Sequence, residues 1–113
     1  MSKEKFQIFK DRAGEFRFNL HSRGNSEIIL RSSEGYASKQ GCLTGINSVK
    51  QNAPDDDKYY RGTSSNNQYF FSLKAGNGEI IGVSEMYVST SGRDNGIAAV
   101  KRDAPNAEIE DKS

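Results

Sequence analysis

The chain has 113 residues, 34% of them hydrophobic, with a mean hydropathy of -0.79 and a formal net charge of +1. That is length for one core and not for two independent ones, and it lacks the basic excess usual in nucleic-acid-binding domains. No window approaches the ~18 apolar residues of a membrane span, the start MSKEKFQIF lacks the apolar core of a signal peptide, and the single cysteine excludes an internal disulfide, so a cytoplasmic protein is expected.

The first element is a strand over Phe6 to Lys10, closed by the turn Asp11-Arg-Ala-Gly14. Phe16, Phe18 and Leu20 then alternate with Arg17 and Asn19, the period of two of a half-buried strand. A second turn, Arg23-Gly-Asn-Ser26, leads to a third strand over Glu27 to Arg31. Ser38 stands where a helix N-cap belongs, Ile46, Val49 and Ala53 follow at helical spacing, and Pro54 closes the segment. The next strand is expected over 57–63.

From there the pattern starts again. Tyr69, Phe71 and Leu73 repeat the alternating face, Ala75-Gly-Asn-Gly78 repeats the turn and Glu79 to Val83 the third strand. Ser89, or Ser91 with Asp94, caps a second helix through Ile97, Val100 and Ala104 that ends at Pro105, and Ala107 to Asp111 forms a weak last strand. The chain is an internal duplication. Tyr36, Gly41, Gly45, Ile46 and Val49 match Tyr87, Gly92, Gly96, Ile97 and Val100 at an offset of 51; the offset is 52 at Glu27 and Glu79, and 53 at Phe18 and Phe71. The two one-residue slips fall in the third strand, at Ser32 or Ser33, and in the hairpin before it. A repeat of about 50 residues buries too little surface alone, so two copies sharing one core is the natural solution.

The expected fold is therefore α+β. It is a single domain over 1–113 made of two β-β-β-α-β repeats, about 5–56 and 57–111, that share the strand 57–63. One antiparallel sheet of about seven strands carries both helices on one face. Glycines at 41 and 45, kept at 92 and 96, cost helix propensity and point to close approach of helix and sheet. The tandem pattern FRFNL, GNSEIIL, SSEGYASKQG and GINSVK resembles the YegP-like family of small uncharacterised bacterial proteins. The resemblance implies final strands exchanged between the repeats, and it brings no activity, substrate or cofactor.

Catalytic signals are weak. His21 is the lone histidine. Cys42 lies in the first turn of a helix, where a thiol pKa can fall, and its counterpart is Arg93, so the position is expected near solvent; a thiol-dependent enzyme through Cys42 is the least favoured alternative. Glu27 with Glu79, and Glu34 with Glu85, are retained acids expected to serve backbone N–H groups or helix ends. No metal spacing, phosphate loop, dinucleotide fingerprint or nucleophile elbow is present, so neither catalysis nor a cofactor or metal is expected.

The favoured reading is an interaction module without catalysis, taking a protein partner or a second copy on the sheet face opposite the helices. That face is expected to carry Arg17, Asn19, Ile29 and Arg31 from the first copy, and Phe70, Ser72, Lys74 and Ile81 from the second. Arg17, Asn19, Arg31, Phe70 and Lys74 are its candidate contacts, with Phe70 the odd aromatic. The same residues support an alternative, a weak single-stranded nucleic-acid binder that stacks bases on Phe70. Charge is unevenly spread, with nine basic against five acidic residues up to Pro54 and seven against ten beyond it. The run Asp55, Asp56, Asp57 is expected to be a solvated linker. What the copies share looks architectural, so a function particular to this chain is expected where they differ.

Overall fold

The computed structural model describes residues 3–113. Each copy opens with a meander: β1 (Lys5–Lys10), β2 (Phe16–His21) and β3 (Ile28–Ser32) in the first, β4 (Tyr59–Thr63), β5 (Tyr69–Lys74) and β6 (Ile80–Val83) in the second. Gly14 and Asn67 take the same left-handed turn position, φ 81° and 64°, before β2 and β5. Helices α1 (Lys39–Asn52) and α2 (Thr90–Asp103) follow the meanders, and β7 (Glu108–Asp111) ends the chain. Asp55 to Asp57 are no bare linker: Asp55 caps a 3-10 turn at Asp56–Lys58, and Asp56 meets Lys101 at 2.6 Å and Arg61 at 3.0 Å. That turn takes the first two positions expected of the strand 57–63.

The strands form one sheet in the order β4-β5-β6-β3-β2-β1-β7. All neighbours are antiparallel except β7, which runs parallel to β1, so the sheet is mixed. The parallel step follows from chain direction, because α2 returns the chain across the sheet and β7 then docks on the first copy. Lys5 and Gln7 of β1 reach Glu110, and Lys39 reaches Asp111 at 2.6 Å, fastening the exchanged strand.

Both helices lie on one face. Ile46 and Val49 of α1, and Ile97 and Val100 of α2, join one buried cluster with Phe6, Phe18, Leu20, Phe71 and Leu73. Ser38 and Ser89 cap the helices by accepting from Gly41 and Gly92 N–H. Tyr36 and Tyr87 lie flat against Phe18 and Phe71, with ring centroids 6.5 and 6.3 Å apart. A Cβ on Gly45 would stand 2.5 Å from Tyr36 Oη, and Gly96 faces Tyr87 in the same way. The glycines kept in both copies are the seats of these two phenols.

The two slips are now located. Phe18 N–H donates to Ser32 Oγ and Phe71 N–H to Ser84 Oγ, so Ser32 is the true counterpart of Ser84 and Ser33 is the extra residue. Ser33 is used at the centre of the sheet, where its hydroxyl donates to Ile80 O at 2.7 Å. The other slip lies in the turn, closed by Ser22 N–H to Glu27 O in one copy and by Ala75 N–H to Glu79 O, one residue shorter, in the other. The β-bulge is common to both copies: the pairing skips Ile29 opposite Leu20/His21 and Ile81 opposite Leu73/Lys74. It takes both isoleucines out of simple alternation, and they join the buried core instead of the open face where they were expected.

Candidate interaction surface

No helix covers the second sheet face, because the helices share the other and the remaining elements are strands or single turns. Its central row runs Gln7, Asn19, Arg31, Val83, Ser72, Tyr60 across the paired strands. Arg17, Asn19, Arg31, Phe70 and Lys74 all stand on strands of this sheet, but they do not form one cluster. Phe70 on β5 and Arg17 on β2 are three strands apart, about 14 Å at the usual interstrand spacing.

Their electrostatics divide them further. Arg17 Nε donates to Asp11 at 2.7 Å, and the Arg17 guanidinium, with backbone N–H groups, holds the Asp11 carboxyl below its ordinary range. Arg31 donates to Glu85 at 2.8 Å. Lys74 lies 5.7 Å from the Tyr60 ring centroid, a cation-π contact. Two of the three basic groups considered for a phosphate chain, Arg17 and Arg31, are thus paired with carboxylates.

Phe70 neither stands free nor lies beneath a loop. It is half-buried and lies across β4, closing over Gly62, with its ring centroid 6.2 Å from that of Tyr60. The bridge between Tyr69 and Tyr87 extends the row: it sets Phe70 opposite Met86 and Gln68 opposite Val88. Tyr87 turns towards Gly96 on the helix side, so alternation sends Met86 and Val88 to the open side. Tyr60, Met86 and Val88 are 52%, 53% and 87% exposed. Tyr60, Phe70, Met86 and Val88 therefore make an apolar strip at the second-copy end of the open face, with Lys74 beside it. The first-copy counterparts are Gln7, Arg17, Gly35 and Ala37.

Tyr60, Met86 and Val88 escaped the sequence reading. Met86 and Val88 lie outside any periodic run, and only their alternation with the retained Tyr87 marks them as a pair. Tyr60 was assigned to a strand, but the face it uses depends on pairing with Ser72.

Cys42 is a correction. It is buried, not near solvent, and burial, with the charge of Asp111 nearby, pushes its thiol up to about 11, away from nucleophilic use. The Arg93 analogy failed because the two sheet edges differ. On the first-copy edge β7 covers Cys42 and Ile8. On the other edge β4 has no outer neighbour among the described residues, and Arg93 reaches Gly62 O at 3.5 Å while crossing the Tyr69 ring. The acids retained in both copies also depart from expectation, since none of the carboxylates of Glu27, Glu34, Glu79 and Glu85 serves a backbone N–H among the described residues.

Among the described residues no group of histidine, cysteine and acidic side chains has the makings of a metal site, and no helix is long and apolar enough to cross a membrane. The model of the domain of unknown function DUF1508 matches twice, over residues 11–59 and 64–111. The chain belongs to the UPF0339 (YegP) family. It is 50% identical over 104 residues to the UPF0339 protein in the ptx operon 5' region of Stutzerimonas stutzeri, covering 92% of each chain. It is 41% identical over 108 residues to YegP of Escherichia coli, 96% of each. The solution structure of Escherichia coli yegP, described as a protein of unknown function, superposes with a TM-score of 0.90 at 39% identity, over 99% of this chain and 95% of that one. A UPF0339 protein of Shewanella oneidensis gives 0.88 at 40% identity, over 98% and 92%. The two family matches begin at the turns before β2 and β5, Asp11 and Ser64, and run through α1 and α2.

Proposed function

We propose that the chain is a non-catalytic interaction module that receives a short apolar segment of a partner protein on the open sheet face. The carrying observation is the strip of Tyr60, Phe70, Met86 and Val88, which no element among the described residues covers. Aromatic and methionine side chains are enriched in interface cores, and unbranched methionine adapts to varied surfaces. Lys74 stands ready for a carboxylate at the rim. Four side chains fall well short of the ~800 Å² per partner of a stable interface, which favours a weakly held peptide segment over a second copy. Acid-paired Arg17 and Arg31 make the rest of the face a solvated surface.

The test compares affinity capture from the native host by the wild type, Met86→Ser/Val88→Ser, and Gln7→Ala on the equivalent first-copy end. One partner retained by the wild type and by Gln7→Ala, and lost from the double variant, supports the proposal. The same proteins captured by all three, or a concentration-dependent dimer in light scattering that the double variant abolishes, refutes it.

A further inference from the structure

β7 differs from the other strands in what holds it. Among the described strands it alone has no buried residue: Glu108, Ile109 and Asp111 are exposed and Glu110 is half-buried. The strand at the opposite edge, β4, buries Tyr59 and Gly62 and ties Tyr59 Oη to Ala53 O at 2.8 Å. Ahead of β7 the chain is anchored by Ala104 and Ala107, both members of the core cluster. From Glu108 onward it is held by backbone pairing with β1 and by charged or polar side chains: Lys5 and Gln7 reach Glu110 at 3.2 and 2.8 Å, and Lys39 reaches Asp111 at 2.6 Å. Exposed ion pairs of this kind each contribute little.

What β7 covers is nevertheless sealed. Cys42 and Ile8 beside it are 0% and 1% exposed, and Asp111 lies close enough to Cys42 for its charge to act on the thiol. Local opening within a fold starts where buried apolar contacts are fewest. A strand that closes over core residues without placing a side chain of its own among them is such a place, and Ala107 is the last anchored residue before it.

We propose that β7 is a latch that leaves β1 as a unit, turning about Ala107, while the rest of the fold stays closed. The open form bares the outer edge of β1 and the Cys42 thiol, and Lys5 and Lys39 set how often it forms. The other edge has no such latch, because β4 is anchored through Tyr59 and the position equivalent to Cys42 is Arg93.

The experiment is alkylation of the single cysteine in the folded full chain by iodoacetamide, a neutral reagent, followed by intact mass and scaled to the rate in the urea-unfolded chain. When closing outruns alkylation, the ratio reads the open fraction. The expected rate lies well below that of the unfolded chain and at least about tenfold above what global unfolding, measured in urea, allows. Lys5→Gln and Lys39→Gln should each speed labelling about two- to fivefold, the scale of one exposed ion pair, although loss of a positive charge by itself makes a thiol less reactive. Gly96→Ala crowds Tyr87 and Phe71 in the second copy, away from β7; it should lower the unfolding midpoint and leave the labelling rate unchanged. Labelling no faster than global unfolding allows, labelling as fast as in the unfolded chain, a rate in Gly96→Ala that rises with its unfolding constant, or unchanged rates in both lysine variants would overturn the proposal.

Discussion

Asp103 offers the sharpest test of how the copies are locked together. Its carboxylate is fully buried at the end of α2 and accepts from Ser22 Oγ at 3.2 Å, Arg23 N at 3.3 Å, Arg23 Nε at 3.0 Å, and Arg102 Nε and Nη2 at 2.7 and 2.8 Å. Ser22 and Arg23 belong to the β2–β3 hairpin, so this one side chain fastens the last helix of the second copy to the first. Among the described residues the side chain of the counterpart, Asn52, bonds within its own helix, to Ser48. Asp103→Asn keeps the shape but removes the charge and turns one acceptor into a donor facing donors. Breaking a buried pair costs ~3–5 kcal/mol when the remaining charge is trapped. Here both arginine side chains are about half exposed and can return to water, which lowers the expected loss to about 2–3 kcal/mol. At about 4 °C per kcal/mol for a domain of this size, the midpoint should fall by about 8–12 °C.

The same loss must depend on pH. Burial pushes the Asp103 carboxyl up, but the hydrogen bonds from Arg102, Arg23 N–H and Ser22 outweigh it, and the folded-state pKa lies below the ordinary value. A carboxyl lowered on folding contributes stability above its unfolded pKa, near 3.9, and loses that contribution as pH falls through the folded value. Urea unfolding of the wild type and Asp103→Asn should therefore differ fully at pH 7 and converge towards the acid limb. An equal difference at pH 7 and pH 3, or one below about 0.5 kcal/mol at pH 7, the scale of an ordinary surface substitution, would refute the account.

Two further predictions concern the seats of the phenols and the sheet edges. Gly45→Ala should cost about 1–3 kcal/mol by overpacking against Tyr36, despite a gain in helix propensity, and Tyr36→Phe in the same chain should restore part of it; thermal unfolding of the double-mutant cycle decides, and strict additivity would show that the two do not touch. Arg61→Ile with Arg93→Cys gives the β4 edge the residues that lie against β7 on the other edge, with no strand to cover them. That variant should associate through the bared edge as concentration rises, and a monomer by light scattering at every concentration would show that the arginines do not guard it.

The meander strands and helix caps were legible because each is a local signal given twice, whereas the exchange of the last strand came from the family resemblance. Alternation at Phe18 and Phe71, Ser38 with Ser89, and the prolines at 54 and 105 agree between copies, which excludes chance patterning. Features that depend on what lies across the sheet were not legible. Ile29 and Ile81 read as open-face residues until the bulge took them into the core. Cys42 read as accessible because Arg93 occupies its equivalent, and the coverage of one edge by β7 is not encoded at position 42. The pairing of Arg31 with Glu85 joins residues 54 positions apart and carries no short-range mark. For the same reason the sequence could show that Glu34 and Glu85 are retained without showing that only one of them is answered.

That asymmetry changes what a difference between copies means. The sequence argument placed any particular function where the copies diverge, and the sheet now divides those divergent positions by cause. Ile8 against Arg61, Cys42 against Arg93, and Leu43 against Asp94 differ where β7 lies beside one edge and no described strand lies beside the other. Arg61 and Arg93 bring charge to an unpaired strand, a common protection against edge-to-edge association. Their identity follows from solubility and needs no ligand. With the edge pairs removed, Gln7 against Tyr60, Arg17 against Phe70, Gly35 against Met86 and Ala37 against Val88 remain as a coherent set. Edge protection does not call for these changes, because they point to the uncovered face and replace polar or small residues with large apolar ones that raise exposed hydrophobic area. An exposed apolar strip that the fold does not require, confined to one copy of a duplicated chain, is the feature on which the proposed partner surface rests.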